Sequence, residues 1–365
     1  MSDEKVLVSG ASGFIALHLL DALLSEGYHV IGTVRSQDKA DRISKSFKKL
    51  YPYCKLDLVI VPDIGASGAF DETFKSIPDI QHVVHTASPF SFGQDKSMEE
   101  SFLIPATQGT KNILESTKKY GKSVKRFVLT SSFAAIINIA HAGDRSFVHT
   151  EKTWNPIEWK EAREDERSSY MASKKLAEKL AWDFLEENKG EINFTLTTVN
   201  PPYVMGPQMF DWGVQRGTLN TSAEIVSKAV HLAPDFEGPF DTPKGLAVDV
   251  RDVALLHVLP LRNEKLAGQR LFPVSGTGQK SKDYEDGSWN LQRTLDILNK
   301  NFPELRGKIP KGKIIDNKPY LANHSSFNND ITTKLTGVEF KPFEETIVDS
   351  AKQILEVGSR TKSLI

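Results

Sequence analysis

The sequence predicts an α/β fold: a doubly wound parallel sheet carrying a smaller C-terminal cap. Three observations predict it. Short β-branched runs alternate with helical stretches over the first two hundred residues. Those runs are apolar almost throughout, as strands covered on both faces are. The rhythm stops after Asn200, where proline and glycine become frequent.

In order, strands are read at 5–9 (KVLVS), 29–34 (HVIGTV), 56–61 (LDLVIV), 82–87 (HVVHTA), 125–131 (KRFVLTS) and 194–200 (FTLTTVN). Helical patterns fall between them, notably at 13–26, 97–120 and 166–188. This alternation places helices on both faces of a parallel sheet. Beyond Asn200, PPYVMGP and LAPDFEGPFDTPKG read as loops or domain crossings, 249–261 as a return helix and 269–276 as a further strand. Residues 1–200, with 246–276 returning to them, are expected to form the sheet domain. Residues 201–245 and 277–365 are expected to form the cap. The charged run EWKEAREDER (158–167) is expected to be a solvated approach to the helix that follows it.

Composition narrows the function. With 46 basic and 47 acidic residues the formal charge is −1, which leaves no footprint for nucleic acid or an anionic membrane. The single cysteine, Cys54, excludes an internal disulfide framework, and no metal site is expected. The opening MSDEKVLVSG enters a strand with no basic segment and no apolar leader, and no apolar run is long enough to span a bilayer. A soluble, cytoplasmic protein is expected, acting as a monomer or homodimer on a small molecule.

The first strand leads into VLVSGASGFIALHLL, which puts Gly10 and Gly13 between strand and helix. Such a turn must bend tightly and let backbone approach a ligand with no Cβ in the way. The helix behind it offers free N–H groups and a positive dipole end to a phosphate. The pattern G-x-x-G-x-x-A ends on Ala16, a small residue for close helix–sheet packing. In any strand–helix turn two glycines can be mere punctuation; at the first such unit of a parallel sheet they point to dinucleotide binding, and the fold to the Rossmann type. The turn residues Gly10, Ala11, Ser12, Gly13, Phe14 and Ile15 are the expected cofactor contacts.

At the end of the second strand an acidic residue would serve the ribose hydroxyls of NAD. This chain reads IGTVRSQDKADR, with Arg35 at the strand end, then Ser36 and Lys39. A cation there suits a 2′-phosphate, so NADPH/NADP+ is the expected cofactor, while Asp38 keeps NAD as an alternative.

The stretch SSYMASKKLAEKLAWDF places Tyr170, Lys174, Ala177, Ala181 and Phe184 on one helical face. A lysine on an inward stripe needs a partner, a route to water or a purpose. Ser131 and Ser132, in LTSSFAA, stand at the carboxyl end of the fifth strand, where ligands sit in such sheets. A hydroxyl, a tyrosine and a lysine beside a nicotinamide make a carbonyl-reducing site. Alkoxide charge needs a donor already in place. Tyrosine, with an ordinary pKa of about 10, is a slow proton shuttle unless a nearby cation favours its phenolate.

The glycine turn, Ser132, Tyr170 and Lys174, in this order, resemble the extended short-chain dehydrogenase/reductase family over essentially the whole chain. More narrowly, SGASGFIA, HTASPF, LTSSFAA, SYMASKKLAEK, VNPPYVMGPQ and DVRDVA resemble the yeast NADPH-dependent methylglyoxal/3-methylbutanal reductases, relatives of the plant dihydroflavonol reductases. The resemblance implies reduction of aldehydes and ketones to alcohols with hydride from NADPH. It implies that Ser132 rather than Ser131 orients the carbonyl, that Tyr170 donates the proton and that Lys174 supports Tyr170 and binds ribose. It assigns Arg35 and Lys39 to the 2′-phosphate, Asp63 and Ile64 to the adenine, Val204 and Ser222 to later cofactor contacts, and Asn112 to a proton relay. The substrate pocket is expected at Phe90, Phe133 and Tyr203, with parts of the cap around Met205 and Trp212. Related chains often have tyrosine where this one has Phe133.

Two other readings use the same scaffold. A nucleotide-sugar epimerase or dehydratase would favour an acid where Arg35 stands. A non-catalytic NADP sensor would often lack the tyrosine–lysine pair. A serine hydrolase lacks its G-x-S-x-G elbow here.

Overall fold

The computed structural model describes residues 4–88, 97–215, 219–242, 244–276, 287–313 and 325–362. In chain order the strands are β1 (Lys5–Ser9), β2 (His29–Val34), β3 (Leu56–Ile60), β4 (Ile80–His85), β5 (Arg126–Thr130), β6 (Val148–His149), β7 (Thr195–Val199), β8 (Tyr203–Met205), β9 (Gly245–Asp249), β10 (Arg270–Leu271), β11 (Ser288–Trp289) and β12 (Ser326–Phe327). The helices are α1 (Phe14–Ser25), α2 (Gln37–Leu50), α3 (Asp71–Ser76), α4 (Ile104–Tyr120), α5 (Glu166–Glu187), α6 (Asp211–Gln215), α7 (Thr221–Val230), α8 (Val250–Arg262), α9 (Leu291–Asn301), α10 (Asp330–Thr336) and α11 (Phe343–Lys362).

Seven strands form the main sheet in the order β10-β7-β5-β4-β1-β2-β3. Every pairing within it is parallel. The chain runs outward from β1 to β3, then crosses back to β4 on the other side of β1. Ser9 and His85 are register partners at that reversal, so the crevice beyond them is the topological switch point where such sheets bind ligands. The fold is Rossmann-like.

Burial explains the strand composition. Val6, Val8, Val30 and Val34 face a layer containing Leu19, Leu20 and Leu23 of α1 and Val253 and Leu256 of α8. Leu7, Ile31, Val83 and Phe127 face the other layer, with Phe74, Ile113 and Leu114. With both faces covered, no strand needs an alternating pattern. A separate core gathers Met205, Val226, Phe240, Leu295, Leu298 and Ile347 around the small sheet β11-β9-β8.

Three expectations change. PPYVMGP is not all loop: Tyr203–Met205 form β8, paired in parallel with β9. The expected strand at 269–276 shrinks to Arg270–Leu271, because only these two residues meet β7. The charged run 158–167 is not wholly solvated. Ala162 is fully buried in a short 3-10 turn, and Trp159 and Arg163 both donate to the Glu99 carboxylate. Among the described residues no helix is long and apolar enough to cross a membrane.

Candidate active site

The glycine turn closes around its own backbone. Gly10 has φ +70°, and a Cβ there would lie 2.9 Å from Ala87 Cα, so no other residue fits between β1 and the segment after β4. The Gly13 N–H donates to the Gly10 carbonyl at 2.9 Å, and that of Ala11 to Thr33 O, also at 2.9 Å. Helix α1 then begins at Phe14 with no side-chain cap and no acidic residue in its first turn. Its first N–H groups are left for an external acceptor, and its dipole end for an anion.

Around this turn the other expected cofactor contacts sit at strand ends. Arg35 is exposed just past β2, and Lys39 is half-buried in the first turn of α2. Among the described residues neither side chain makes a hydrogen bond or ion pair within the chain. Beyond β3, Asp63 accepts from the Gly65 N–H at 2.8 Å and Ile64 is buried. Gly109 of α4 leaves room for Ile64, since a Cβ would come within 2.7 Å of Ile64 Cδ1. Val204 is buried in β8, and Ser222 lies in the first turn of α7, with no hydrogen bond to the residues above.

Asn112 lies on α4, facing the turn after β3. Its amide donates at 2.9 Å to the carbonyls of both Ile64 and Ala66, so it holds the turn after β3.

The helix carrying Tyr170 and Lys174 starts where the sequence allows. Asp165 caps α5 by accepting from the Ser168 N–H at 2.9 Å. Lys174, Ala177 and Ala181 are buried along the inward stripe, and Tyr170 and Phe184 are half-buried. Ser132 ends β5's extension and caps the 3-10 turn Phe133–Ala135, its hydroxyl oxygen accepting from Ala134 N–H at 3.1 Å. The Ser132 hydroxyl is hydrogen-bonded to Tyr170 and lowers its pKa, while burial, the larger effect, raises it. Tyr203, 42% exposed at the start of β8, is close enough to raise it further. Ser131 is engaged elsewhere, donating to Glu178 Oε2 at 2.5 Å.

Lys174 lies beside the Tyr170 ring. Its ammonium lies 5.8 Å from the centre of the Tyr170 ring and donates to Ser88 Oγ at 2.8 Å. Burial brings its pKa down to about 8. Below it, burial and then the Lys174 charge hold His85 near 3, so this histidine is neutral. Ser9 Oγ accepts from the N–H groups of Thr86 and Ala87, which aims its own proton at His85 Nδ1, 2.7 Å away. The remaining ring proton is therefore on Nε2.

Of the expected pocket residues, Phe90 lies outside the described residues. Phe133 is half-buried, stacked on Phe272 at 5.0 Å, and follows Ser132 directly. Tyr203 packs edge-on against Trp289. Met205 is fully buried in the cap core, and Trp212 donates to Ser46 of α2 at 3.2 Å.

The sequence reading missed Glu178 and Arg270, both nearly buried and joined at 2.6 Å beside Ser131. Glu178 was legible: four residues after Lys174, it shares the inward stripe.

Residues 6–269 match the NAD dependent epimerase/dehydratase family. The chain is 44% identical over 358 residues to the NADPH-dependent methylglyoxal reductase GRE2 of Saccharomyces cerevisiae, covering 98% of this chain and 99% of that one. It is 35% identical to the ketoreductase azaE of Aspergillus niger, covering 97% and 98%. Its structure superposes on that of yeast methylglyoxal/isovaleraldehyde reductase Gre2 complexed with NADPH, with a TM-score of 0.88, 43% identity and 98% and 99% coverage. It matches Gre2 from Candida albicans in complex with NADPH with the same TM-score, at 36% identity and 97% and 99% coverage. With a parallel sheet, an uncapped helix behind a glycine turn and these full-length likenesses, the chain belongs to the NAD dependent epimerase/dehydratase family, the extended short-chain dehydrogenases/reductases.

Proposed function

We propose that this protein is an NADPH-dependent carbonyl reductase that converts small aldehydes and ketones, methylglyoxal and 3-methylbutanal among them, to alcohols. The observation that carries the roles is the hydrogen bond between Ser132 and Tyr170, with Lys174 one helical turn on, at the carboxyl end of a parallel sheet. The strong full-length likeness to NADPH-dependent reductases carries the reaction class.

The residues present fit the dinucleotide. The backbone of Gly10–Ile15 and the free end of α1 would receive the pyrophosphate, and Arg35 with Lys39 would pair with the 2′-phosphate. Asp63 and Ile64 would bound the adenine, and Val204 and Ser222 would complete the grip from the cap side. When bound, NADPH supplies the hydride.

What remains is proton and oxygen chemistry, which belongs to the chain. The Ser132 hydroxyl holds the substrate carbonyl oxygen and stabilises the charge that develops there. Tyr170 gives that oxygen its proton. Because burial keeps Tyr170 protonated well into the alkaline range, it is an acid in the resting site and becomes a phenolate only during turnover. The Lys174 ammonium, desolvated and therefore strong in its effect, would steady that phenolate across the ring and, with the cofactor bound, would hold its ribose. Phe133 and Tyr203 give the substrate side an apolar wall with one hydroxyl, suited to a neutral carbonyl compound with a short side chain. Such a protein works in the cytoplasm, as a monomer or homodimer.

The test follows NADPH absorbance with methylglyoxal and 3-methylbutanal, NADH run alongside, for wild type, Tyr170→Phe and Arg35→Ala. The expected outcome is rapid NADPH oxidation that Tyr170→Phe reduces by roughly 10²–10⁴-fold, the range of general acid catalysis. Arg35→Ala is expected to narrow the preference for NADPH over NADH by roughly tenfold or more, the loss of a charge-assisted contact. Tight NADPH binding without turnover of any carbonyl would instead mark a sensor.

A further inference from the structure

Behind the Ser132 segment lies a buried ionic knot that the proposed chemistry does not use. Glu178 is fully buried on α5, and Arg270, at the start of the edge strand β10, is nearly so. The guanidinium Nε donates to Glu178 Oε1 at 2.6 Å. The same carboxylate accepts from the Ser131 hydroxyl at 2.5 Å and from Asn200 Nδ2 at 2.6 Å, with the Thr198 hydroxyl 3.1 Å away. Trp182 Nε1 is at 3.3 Å. All four acceptor directions of a buried carboxylate are therefore in use.

The partners share a destination. Asn200 also donates to the Ser132 carbonyl at 3.3 Å. Arg270 reaches the carbonyl of Ala135 at 3.4 Å and those of Glu151 and Thr153 at 2.8 and 2.6 Å. Its planar face lies 3.9 Å from the centre of the Trp154 ring. Asn155 pins the same turn, donating from its side chain to Ala134 O at 2.8 Å and from its backbone to Ala135 O at 2.9 Å. Ser131, Ser132 and the turn Phe133–Ala135 are thus gripped on three sides by groups that converge on one carboxylate.

We propose that Glu178, held by Arg270, is the positioning residue that sets the Ser132 hydroxyl against Tyr170. A buried ion pair is a poor stabiliser compared with apolar packing, so its retention beside a reactive segment calls for a positional role. Its geometry supplies one. A fully satisfied network in a low-dielectric interior fixes its members rigidly, and α5 carries both ends of the arrangement: Tyr170 meets the substrate side, and Glu178, two turns on, anchors the strand end that bears Ser132. One rigid helix thereby fixes the spacing between acid and oxygen-binding hydroxyl.

The inference rests on the reading of Ser132 and Tyr170 given above, so its test has two independent arms. Ser131→Ala removes the tie from the segment to Glu178 and leaves the carboxylate with Asn200, Thr198 and Arg270, so the fold is kept. Glu178→Gln is the second variant. Ser132, Tyr203 on β8 and Lys174 on its own helix all act on Tyr170, and Glu178 is tied to the Ser132 segment through Ser131 and Asn200. The first arm reads Tyr170 ionisation without cofactor, by NMR of protein labelled at the tyrosine ring carbon bearing oxygen, with Tyr170→Phe to assign the signal. Losing the Ser132 bond is expected to move that titration upward in both variants. The second arm reads kcat with NADPH affinity. A fall of kcat by about tenfold or more at unchanged NADPH Kd is expected, since small misplacements of reacting groups cost up to roughly 10². A titration and kcat both within twofold of wild type, or a fall in kcat that merely tracks lost NADPH affinity with the titration unmoved, would overturn the proposal. Should wild type reduce no carbonyl at all, the functional reading fails, and the titration arm still decides whether Glu178 positions Ser132.

Discussion

Lys174 shows how much one side chain's surroundings decide. On an exposed helix face its charge would persist past pH 10; buried beside Tyr170 it is lost at about 8. The ammonium is the form that steadies a phenolate, so its contribution is present below that value and lost as pH rises through it. Tyr170, pushed up by burial, keeps its proton over the same interval and does not produce the loss. The pH profile of kcat/KM for NADPH-dependent reduction is therefore expected to be level from about pH 6 to 7.5 and to fall above about pH 8, roughly tenfold per unit. A profile level to pH 10 would remove Lys174 from the mechanism. At this scale the sequence was informative where spacing alone decides, as for Tyr170, Lys174 and the glycine turn. It was silent where a partner lies far along the chain. Lys174 reaches back 86 residues to Ser88, and Asn112 binds carbonyls 48 and 46 residues before it. No local pattern encodes such choices.

Helix α5 owes its start to Asp165, whose carboxylate is held below the ordinary range first by the Ser168 N–H and then by the Ser168 hydroxyl. A depressed folded-state value means that this contribution is present above the ordinary carboxylate pKa and is lost as pH falls through the lower value. Asp165→Ala is expected to cost about 1 kcal/mol in urea unfolding at pH 7, and Asp165→Asn, which still caps, a few tenths at most. Equal losses for the two would mean that the cap is unimportant. Elements such as α5 and β1 were legible because a long periodic stripe or a doubly buried apolar run has few competing readings. β8 was not. Three residues between Pro201–Pro202 and Gly206–Pro207 carry no period, and pairing with the facing strand β9 makes Tyr203–Met205 extended. β10 was overread for the opposite reason: QRLFPVSG is apolar enough for eight residues, but the sheet edge offers partners to two.

Across the whole molecule, a charged seam ties the sheet's last helix to the C-terminal one. Arg251 binds both oxygens of buried Asp249 at 2.8 Å and reaches Asp349 of α11 at 2.7 Å, and Thr346 donates to Asp249 at 2.8 Å. Beside them Asp252 accepts the Lys341 N–H at 2.7 Å, and burial raises its pKa to about 6. A raised carboxylate favours the protonated folded state. Stability is therefore lost as pH climbs from about 4, where the unfolded chain releases this proton, to about 6, and the deficit, about 3 kcal/mol, persists above. Asp252→Asn is expected to match wild type near pH 4 and to exceed it by up to that amount at pH 8, read by urea unfolding. No gap at pH 8 would place Asp252 outside this seam's energetics.

The link between Glu178 and Arg270 also has a history in time. The carboxylate leaves the ribosome 92 residues before its counter-ion, which at about 5–20 residues per second is an interval of roughly 5 to 20 seconds. By the end of that interval the main sheet's first six strands are all made, the last of them, β7, within it, yet the strand end bearing Ser132 still has no Arg270 to settle its buried acid. A nascent chain stopped short of Arg270 must keep Glu178 hydrated or protonated, so the reactive edge of the sheet stays open to water until its last short strand arrives. Arg270 is made before the helices Leu291–Asn301 and Phe343–Lys362 that complete the cap core, so the strand end bearing Ser132 can be settled before the cap is finished.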